Sequence, residues 1–304
     1  MASDFWWVFD ALVVVIAIGV IVSNAKKGLT KVFVLCMGYL IATVVAAFAS
    51  AAAAPSLYET VARPSNMAAI EEVNDSIDVA QCFKDAIDEH KYGAVLSKKK
   101  IEQYLAPPNT AKFDKNLYYY VNEECGYQST ETLMEFKQIL TDAFVDEYCS
   151  QLEERLPGYF CASFTQQMNS NPALINTVLE QLYKVNNSSE DSAGYIEDNF
   201  GAEPTTECFR IFVYIIIFSI VMIIAGIIAN ATKYRIYFNV LTGTDRFLGA
   251  LLGFIEAAAV VIITTLVIRL IVLIGGGEFM CFNEETISQT YIYKYIYAQL
   301  GILI

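Results

Sequence analysis

Four long apolar runs constrain this chain more than any other feature of its sequence. They cover residues 5–23, 30–54, 209–231 and 247–274. A helix that crosses a bilayer needs about 20 mostly apolar residues, and a buried helix in a soluble protein is rarely apolar on every face over such a length. The runs therefore predict an all-α fold built on a bundle of four transmembrane helices.

The composition agrees with a membrane protein and excludes several soluble classes. Of the 304 residues, 55% are hydrophobic and 17% are charged, whereas an average soluble domain has about 25% charged residues. The formal net charge of −13 disfavours nucleic acid as a partner, because binding to phosphates needs a basic face. His90 is the single histidine, which excludes zinc sites built from several histidines. We expect no metal and no other cofactor.

The negative charge is concentrated between the second and third apolar runs. Residues 55–207 hold 26 of the 33 acidic residues and 11 of the 20 basic ones. We therefore expect a first transmembrane hairpin at 1–54, an acidic helical insert at 55–207, a second hairpin at 208–275 and an interfacial tail at 276–304.

The two short links between paired runs are basic and predict the orientation of the chain. Their basic residues are Lys26, Lys27, Lys31, Lys233, Arg235 and Arg246. Cytoplasmic loops are enriched in Lys and Arg, so we expect a plasma membrane protein with both links in the cytoplasm. Both termini and the insert are then extracytoplasmic. For the first half, the alternative is a signal peptide cleaved near Ala49-Ser50-Ala51.

Six of the seven cysteines fall in segments that this topology places outside the cytoplasm. These six are Cys82, Cys125, Cys149, Cys161, Cys208 and Cys281. An even number of cysteines in an oxidising compartment predicts up to three disulfides. The alternative is six free thiols in a helical domain. A zinc site is disfavoured because the sequence has no CxxC pair.

The insert has helical patterns and no set of residues typical of an enzyme. Thr132 and Glu135 match a capping box, and the apolar residues that follow recur every three or four positions up to Leu152. Asn171-Pro172 is typical of a helix start, and residues 186–192 indicate a polar break. His90 is either a base beside Asp88 or, as we favour, a solvated side chain. We expect no enzymatic activity.

Three charged residues lie well inside the apolar runs, away from the ends of the runs, namely Asp10, Glu256 and Arg269. Such groups are costly in a bilayer, so each needs a partner or a function. Asp10 and Arg269 lie at similar predicted depth, so they either form an ion pair or each reach the interface separately. Glu256 has no evident basic partner at its depth, but Tyr39 can donate a hydrogen bond to it. We favour a protonated packing residue over a proton relay.

Small residues predict close helix contacts in the second hairpin. Gly249 and Gly253 have the spacing that lets two helix backbones approach each other, and Ala225 and Ala229 repeat it on the third helix. A helix hairpin and a homo-oligomer would use the same surface. At the end of the chain, tyrosines at every second position from Tyr291 to Tyr297 indicate an interfacial segment, in either a strand or a short amphipathic helix.

Residues 242–253 resemble the signature of the colicin V production protein (CvpA) family. The residues that carry this resemblance are Asp245, Arg246, Gly249 and Gly253, with Asp10, Lys26, Lys27 and Gly28 in the first hairpin. Compact members of that family have a short link in place of the insert, and many have a basic residue near the position of Glu256. Independently of the family, Asp245 can cap the fourth helix and Arg246 can contact anionic lipid headgroups.

The resemblance implies a bacterial multi-pass membrane protein with a role in toxin production or envelope maintenance. Because the insert has no catalytic set, we expect a non-enzymatic scaffold. Its expected partners are the lipid bilayer, an envelope protein or secreted peptide, and a second copy of the chain. The alternative is an oligomeric transporter or channel component that uses Glu256 in a polar path.

Overall fold

A computed structural model describes residues 5–27, 29–90, 96–125, 131–184, 188–232, 242–276 and 282–303. Within these ranges the chain is helical, as expected, and contains no strand. The α-helices are α1 (Trp7–Lys27), α2 (Leu29–Leu57), α3 (Arg63–Ser76), α4 (Val79–Glu89), α5 (Lys98–Leu105), α6 (Phe113–Tyr119), α7 (Leu133–Leu152), α8 (Gly158–Ser170), α9 (Leu174–Tyr183), α10 (Ser189–Ile196), α11 (Ala202–Thr232), α12 (Thr242–Ile274), α13 (Glu284–Ser288) and α14 (Tyr293–Leu303). Short π-helical turns occur at Tyr58–Ala62, Tyr120–Glu124 and Glu197–Gly201, and a 3₁₀ turn at Thr110–Lys112.

The helices α1, α2, α11 and α12 are long and apolar enough to cross a membrane. Their most apolar windows have a mean hydropathy of 2.4, 2.4, 3.1 and 2.8 in that order. Many of their large apolar side chains point outward, including Phe48 on α2, 75% exposed, and Ile223 on α11, 64% exposed. Lipid tails solvate such side chains at no cost, so the prediction of four membrane-length helices is confirmed.

The chain divides into two compact units. The first, here called the membrane unit, comprises Met1–Tyr58 and Thr206–Ile304, and the second, the insert unit, comprises Glu59–Thr205. All four membrane-length helices fall mainly in the membrane unit, and most of the acidic residues fall in the insert unit. Each unit is described separately below.

In the membrane unit, α1 and α12 pack in opposite directions along their length. The end of α1 at Asn24 lies against Gly249 near the start of α12. Phe9 near the start of α1 clusters with Ile268 and Val272 near the end of α12. The end of α1 and the start of α12 therefore lie at the same end of this unit.

The insert unit is organised around a core of aromatic side chains. Fully or almost fully buried rings come from several of its helices: Phe83, Phe113, Phe136, Phe144, Tyr148, Phe160, Phe164 and Phe200. Within this group Phe144 stacks on Tyr148 with a centroid distance of 5.3 Å. Large buried rings contribute most of the hydrophobic stabilisation in a domain of this size.

Local sequence signals explain where several helices of the insert unit begin. The capping box predicted at Thr132 is present, with the Thr132 hydroxyl accepting the Glu135 N–H and the Glu135 carboxylate accepting the Thr132 N–H. The helix start predicted at Asn171-Pro172 is displaced, because Asn171 instead accepts the Ala173 N–H in a turn and α9 begins at Leu174. The predicted break at 186–192 is wrong from Ser189 onward, since Ser188 and Asp191 form a second capping box that starts α10.

The histidine of this unit lies at the end of α4, and its surroundings do not resemble a catalytic base. Its Nδ1 lies 2.9 Å from the Ala86 carbonyl oxygen, while Asp88 is paired with Lys84 at 2.7 Å. The arrangement of His90 beside a free Asp88 is therefore not found.

Candidate functional site

Among the described acidic and basic side chains of the membrane unit, the most buried is the carboxylate of Glu256 on α12, which is 5% exposed. Asn24 of α1 is fully buried, and its Nδ2 donates to Glu256 Oε2 at 2.5 Å. The Tyr39 hydroxyl of α2 lies 3.4 Å from Oε1, and the Lys27 ammonium lies 3.5 Å from the same oxygen. Three helices therefore meet at one polar cluster, defined here as Asn24, Lys27, Tyr39 and Glu256.

Two glycines explain why α1 comes close enough for Asn24 to reach Glu256. A Cβ atom on Gly249 would lie 2.9 Å from the Asn24 carbonyl oxygen, and one on Gly253 would lie 3.1 Å from the Ile21 Cα. Both distances join the added atom to helix backbone, which cannot move aside. Gly249, Gly253 and Glu256 are three or four residues apart and share one face of α12. The packing surface predicted from the glycine spacing is present, and it contacts α1.

The expectation that Glu256 has no basic partner is wrong. Lys27 lies at the very end of α1 and its predicted position was in the link, but its long flexible stem lets the ammonium reach back along the helix. Lys27 is only 30% exposed in the structure. The expected contact with Tyr39 is present.

Another charged residue of α12, Arg269, lies at the opposite end of the membrane unit. Its Nε and Nη2 lie 2.6 and 2.5 Å from Glu207 Oε1 on α11. The guanidinium also lies 5.2 Å from the centre of the Tyr297 ring of α14, and the absence of a side chain at Gly301 leaves room for it. Arg269 is therefore paired with Glu207, and the proposed ion pair with Asp10 is not formed.

Asp10 instead binds the start of the tail helix. Its two carboxylate oxygens accept the backbone N–H groups of Tyr291, Ile292 and Tyr293 at 2.7, 2.9 and 2.9 Å. The first N–H groups of a helix have no partner within the helix and attract negative charge. The tail forms the helix α14, which settles the choice between strand and helix left open by the tyrosine pattern.

The predicted disulfides are not present among the candidate cysteines that the structure describes. Cys82, Cys125, Cys149, Cys161 and Cys208 are free thiols, as is Cys36 in α2, whereas Cys281 lies beyond the described residues. Cys149 and Cys161 face each other's helix, and each thiol contacts the other's backbone carbonyl at 3.9 and 3.7 Å. Burial, together with the nearby Glu147 and Asp85 carboxylates, raises the pKa of Cys82 to about 12. An even cysteine count predicted pairing, but no two of the described cysteines form a disulfide, although Cys149 and Cys161 are neighbours.

The remaining motif residues are only partly described. Gly28 and the side chain of Asp245 lie outside the part of the chain that the structure describes. The helix cap expected at Asp245 therefore stays a prediction. Arg246 is exposed at the start of α12, where it is free to contact headgroups. Asn24 and Glu207 were not predicted from the sequence as site residues. Their sequence signal is weak: Asn24 lies one helical turn before Lys27, and Glu207 lies one helical turn before Arg210.

Four membrane-length helices, with Asp10, Glu256 and Arg269 engaged in contacts between helices, are typical of a multi-pass membrane protein. Comparison with protein families adds a specific relationship, because residues 186–298 match the model described as Colicin V production protein. This region of the chain is therefore similar to a Colicin V production protein (CvpA) domain, and it includes α11, α12 and the Asp245–Gly253 motif. No curated protein and no solved structure matches the chain.

The geometry limits what the polar cluster can do chemically. Both oxygens of Glu256 already face donors, namely the amide of Asn24, the hydroxyl of Tyr39 and the ammonium of Lys27. A carboxylate held in this way stabilises the α1–α12 contact, because removing any partner would leave a buried charge unsatisfied. The described residues of the cluster include no nucleophile activated by a neighbouring base.

Proposed function

We propose that this protein is a non-enzymatic scaffold of the bacterial plasma membrane that presents the acidic insert unit outside the cytoplasm. The observation that carries the proposal is the separation of roles along the chain. The ionisable groups Asp10, Glu256 and Arg269 of the membrane unit are all engaged in contacts between helices. The insert unit, by contrast, holds most of the acidic residues on a separately packed core.

The proposed orientation rests on the basic links. The end of α1 and the start of α12 lie together, so the basic residues Lys26, Lys27 and Arg246 are at one end of the membrane unit. Basic segments stay in the cytoplasm. Both termini and the insert unit then lie on the other side of the membrane, where the insert unit can meet an envelope protein or a secreted peptide.

The similarity to a CvpA domain supports a role in toxin production or in maintenance of the cell envelope. A strongly negative insert unit favours cationic partners, because complementary charge speeds association and selects against acidic competitors. We therefore expect a partner that carries an excess of Lys and Arg on the surface that it presents.

The test is chemical crosslinking in intact cells that contain the full-length protein at its natural level. The scaffold proposal predicts crosslinks from reporter residues introduced at exposed sites of the insert unit, such as Tyr119, which is 59% exposed. The matched control places the same reporter at Phe48, a lipid-facing position of α2 that is 75% exposed. A crosslinked partner found equally from both positions, or from Phe48 alone, would contradict the proposal.

The second candidate is an oligomeric transporter or channel component in which Glu256 lines a polar path. It is favoured by the burial of this carboxylate and by the Oδ1 atom of Asn24, which is buried and makes no hydrogen bond to the part of the chain that is described. Vesicles containing the purified protein and a pH-sensitive dye separate the two candidates. A proton flux that Glu256→Gln abolishes would favour transport, whereas vesicles no leakier than protein-free ones favour the scaffold.

A further inference from the structure

Aromatic residues from the two ends of the membrane unit's sequence meet on one surface. Phe5 and Trp7 at the start of the chain are 59% and 54% exposed, and Tyr291 and Tyr295 in the tail are 71% and 66% exposed. Trp6 joins the two groups, since its ring packs edge-on against Tyr291 with a centroid distance of 5.2 Å. We call this surface, formed by Phe5, Trp6, Trp7, Tyr291 and Tyr295, the aromatic platform.

Contacts beneath the platform fix the tail to the first helix. Asp10 accepts three N–H groups at the start of the tail helix. Directly below, the buried ring of Tyr293 stacks on Phe9 with a centroid distance of 5.2 Å, and Tyr297 covers the Arg269 guanidinium. Asp10 and Arg269 under the platform are thus capped or paired. Its outer face consists of rings and of Ile292, 50% exposed, with one cation beside them, the Lys294 ammonium at 5.4 Å from the centre of the Tyr295 ring.

We propose that the aromatic platform docks into the boundary between lipid headgroups and acyl chains. Its residues have the chemistry of that boundary, because Trp and Tyr combine an apolar ring with one polar atom and are enriched there. Its position agrees, since Trp7 is the first residue of the membrane-length helix α1. The lipid-facing residues of α1, such as Val8 and Val15, continue from it along the helix.

Asp10 is a positioning residue in this arrangement. It touches no lipid in the proposed mode, but it holds the tail tyrosines level with the tryptophans of the N-terminus. The inference does not depend on the scaffold proposal, because it requires only that α1 spans a bilayer, in whichever direction.

The chain contains two tryptophans, Trp6 and Trp7, so a background without tryptophan needs only the changes Trp6→Phe and Trp7→Phe. The experiment adds one tryptophan by Tyr295→Trp and reconstitutes the full-length protein into phosphatidylcholine–phosphatidylglycerol vesicles. Fluorescence quenching is then measured with lipids brominated near the headgroup, with lipids brominated near the bilayer centre, and with aqueous iodide. The matched control is Tyr119→Trp in the same background, at a comparably exposed position of the insert unit.

The proposal predicts that lipids brominated near the headgroup quench the tryptophan at 295 several-fold more than those brominated at the centre, while iodide quenches it weakly. The control tryptophan at 119 should be quenched by iodide and by neither lipid. Adding Asp10→Asn should reduce the lipid quenching at 295, with helix content by circular dichroism unchanged. Iodide quenching at 295 equal to that at 119 would overturn the proposal, and so would protection from all three quenchers, which would indicate a protein partner in place of lipid.

Discussion

The two units of this molecule bury different kinds of side chain for the same purpose. The insert unit closes around large rings such as Phe144 and Phe164, which are fully buried. The membrane unit brings its helices together at Gly249 and Gly253 on one pair, and at Gly38 and Ala225 on another, where an added Cβ would lie 2.5 Å from the Ala225 Cβ. Many of its large apolar side chains point outward, although a few rings such as Phe9, Tyr214 and Phe218 are buried between its helices.

The difference follows from the solvent that each unit has to leave. Water drives rings into a core, with about 25 cal/mol gained per Å² of apolar surface buried. Lipid gives no such gain, so helices in a bilayer associate through close backbone contact and through polar groups that find partners between helices. The polar cluster around Glu256 and the ion pair of Arg269 with Glu207 are the polar part of that arrangement.

Removal of a ring should therefore lower the stability of the insert unit strongly and that of the membrane unit little. This is the largest difference that we expect. Phe144→Ala leaves a cavity in the insert core and should lower the free energy of unfolding of that unit by about 3–5 kcal/mol. Phe48→Ala removes a ring that faces outward in the membrane unit and should change stability little. Thermal unfolding of the purified protein, followed by circular dichroism, measures both. Equal losses for the two variants would contradict the comparison.

Adding one methyl group at each glycine of the α1–α12 contact should give the next largest effect. The double variant Gly249→Ala, Gly253→Ala forces backbone apart and should destabilise the membrane unit by about 1–3 kcal/mol. Gly226→Ala on α11 is the control, because nothing lies within 4 Å of the added atom. The melting temperatures of both variants are measured in detergent micelles. A decrease for Gly226→Ala as large as that for the double variant would contradict the proposed role of the α1–α12 contact.

Acid should weaken the insert unit through one buried carboxylate. Burial opposes the charge of Asp114, but the Lys137 ammonium and the Asn176 amide hold the pKa of Asp114 below its usual value. A lowered pKa means that ionised Asp114 stabilises the fold fully above the pKa of an unfolded aspartate, about 3.9, and that this contribution is lost as the pH falls through the lower pKa of the folded protein. Stability measured from pH 5 down to pH 2 should therefore fall less steeply for Asp114→Asn. An unchanged slope would show that Asp114 does not contribute.

A reducing agent should produce the smallest effect, which is none on the insert unit. Cys82, Cys125, Cys149 and Cys161 are free thiols in this unit, so no covalent link restricts its unfolded chain. The melting temperature should be the same with and without dithiothreitol. A decrease of several degrees on reduction would show that the insert unit contains disulfides, as predicted from the cysteine count.

The elements that could be predicted from sequence are those set by local pattern. The four membrane-length helices, the capping box at Thr132 and the glycine contact each depend on spacings of a few residues. The partners of the ionisable groups depend on the rotation of one helix against another, and a local sequence pattern does not determine that rotation. Glu207 was assigned to the insert because it precedes the apolar run. However, α11 begins earlier, at Ala202, so Glu207 is part of this helix and pairs with Arg269.

The central proposal is that the insert unit and the basic links are on opposite sides of the plasma membrane. The direct measurement is modification of single added cysteines by a membrane-impermeant maleimide, with the unaltered chain as the blank. Tyr119→Cys lies at an exposed site of the insert unit, and Lys26→Cys at an exposed site beside the first link. We predict that intact cells allow modification at 119 while 26 reacts only after permeabilisation. Modification at 26 in intact cells, with 119 protected until lysis, would contradict the account.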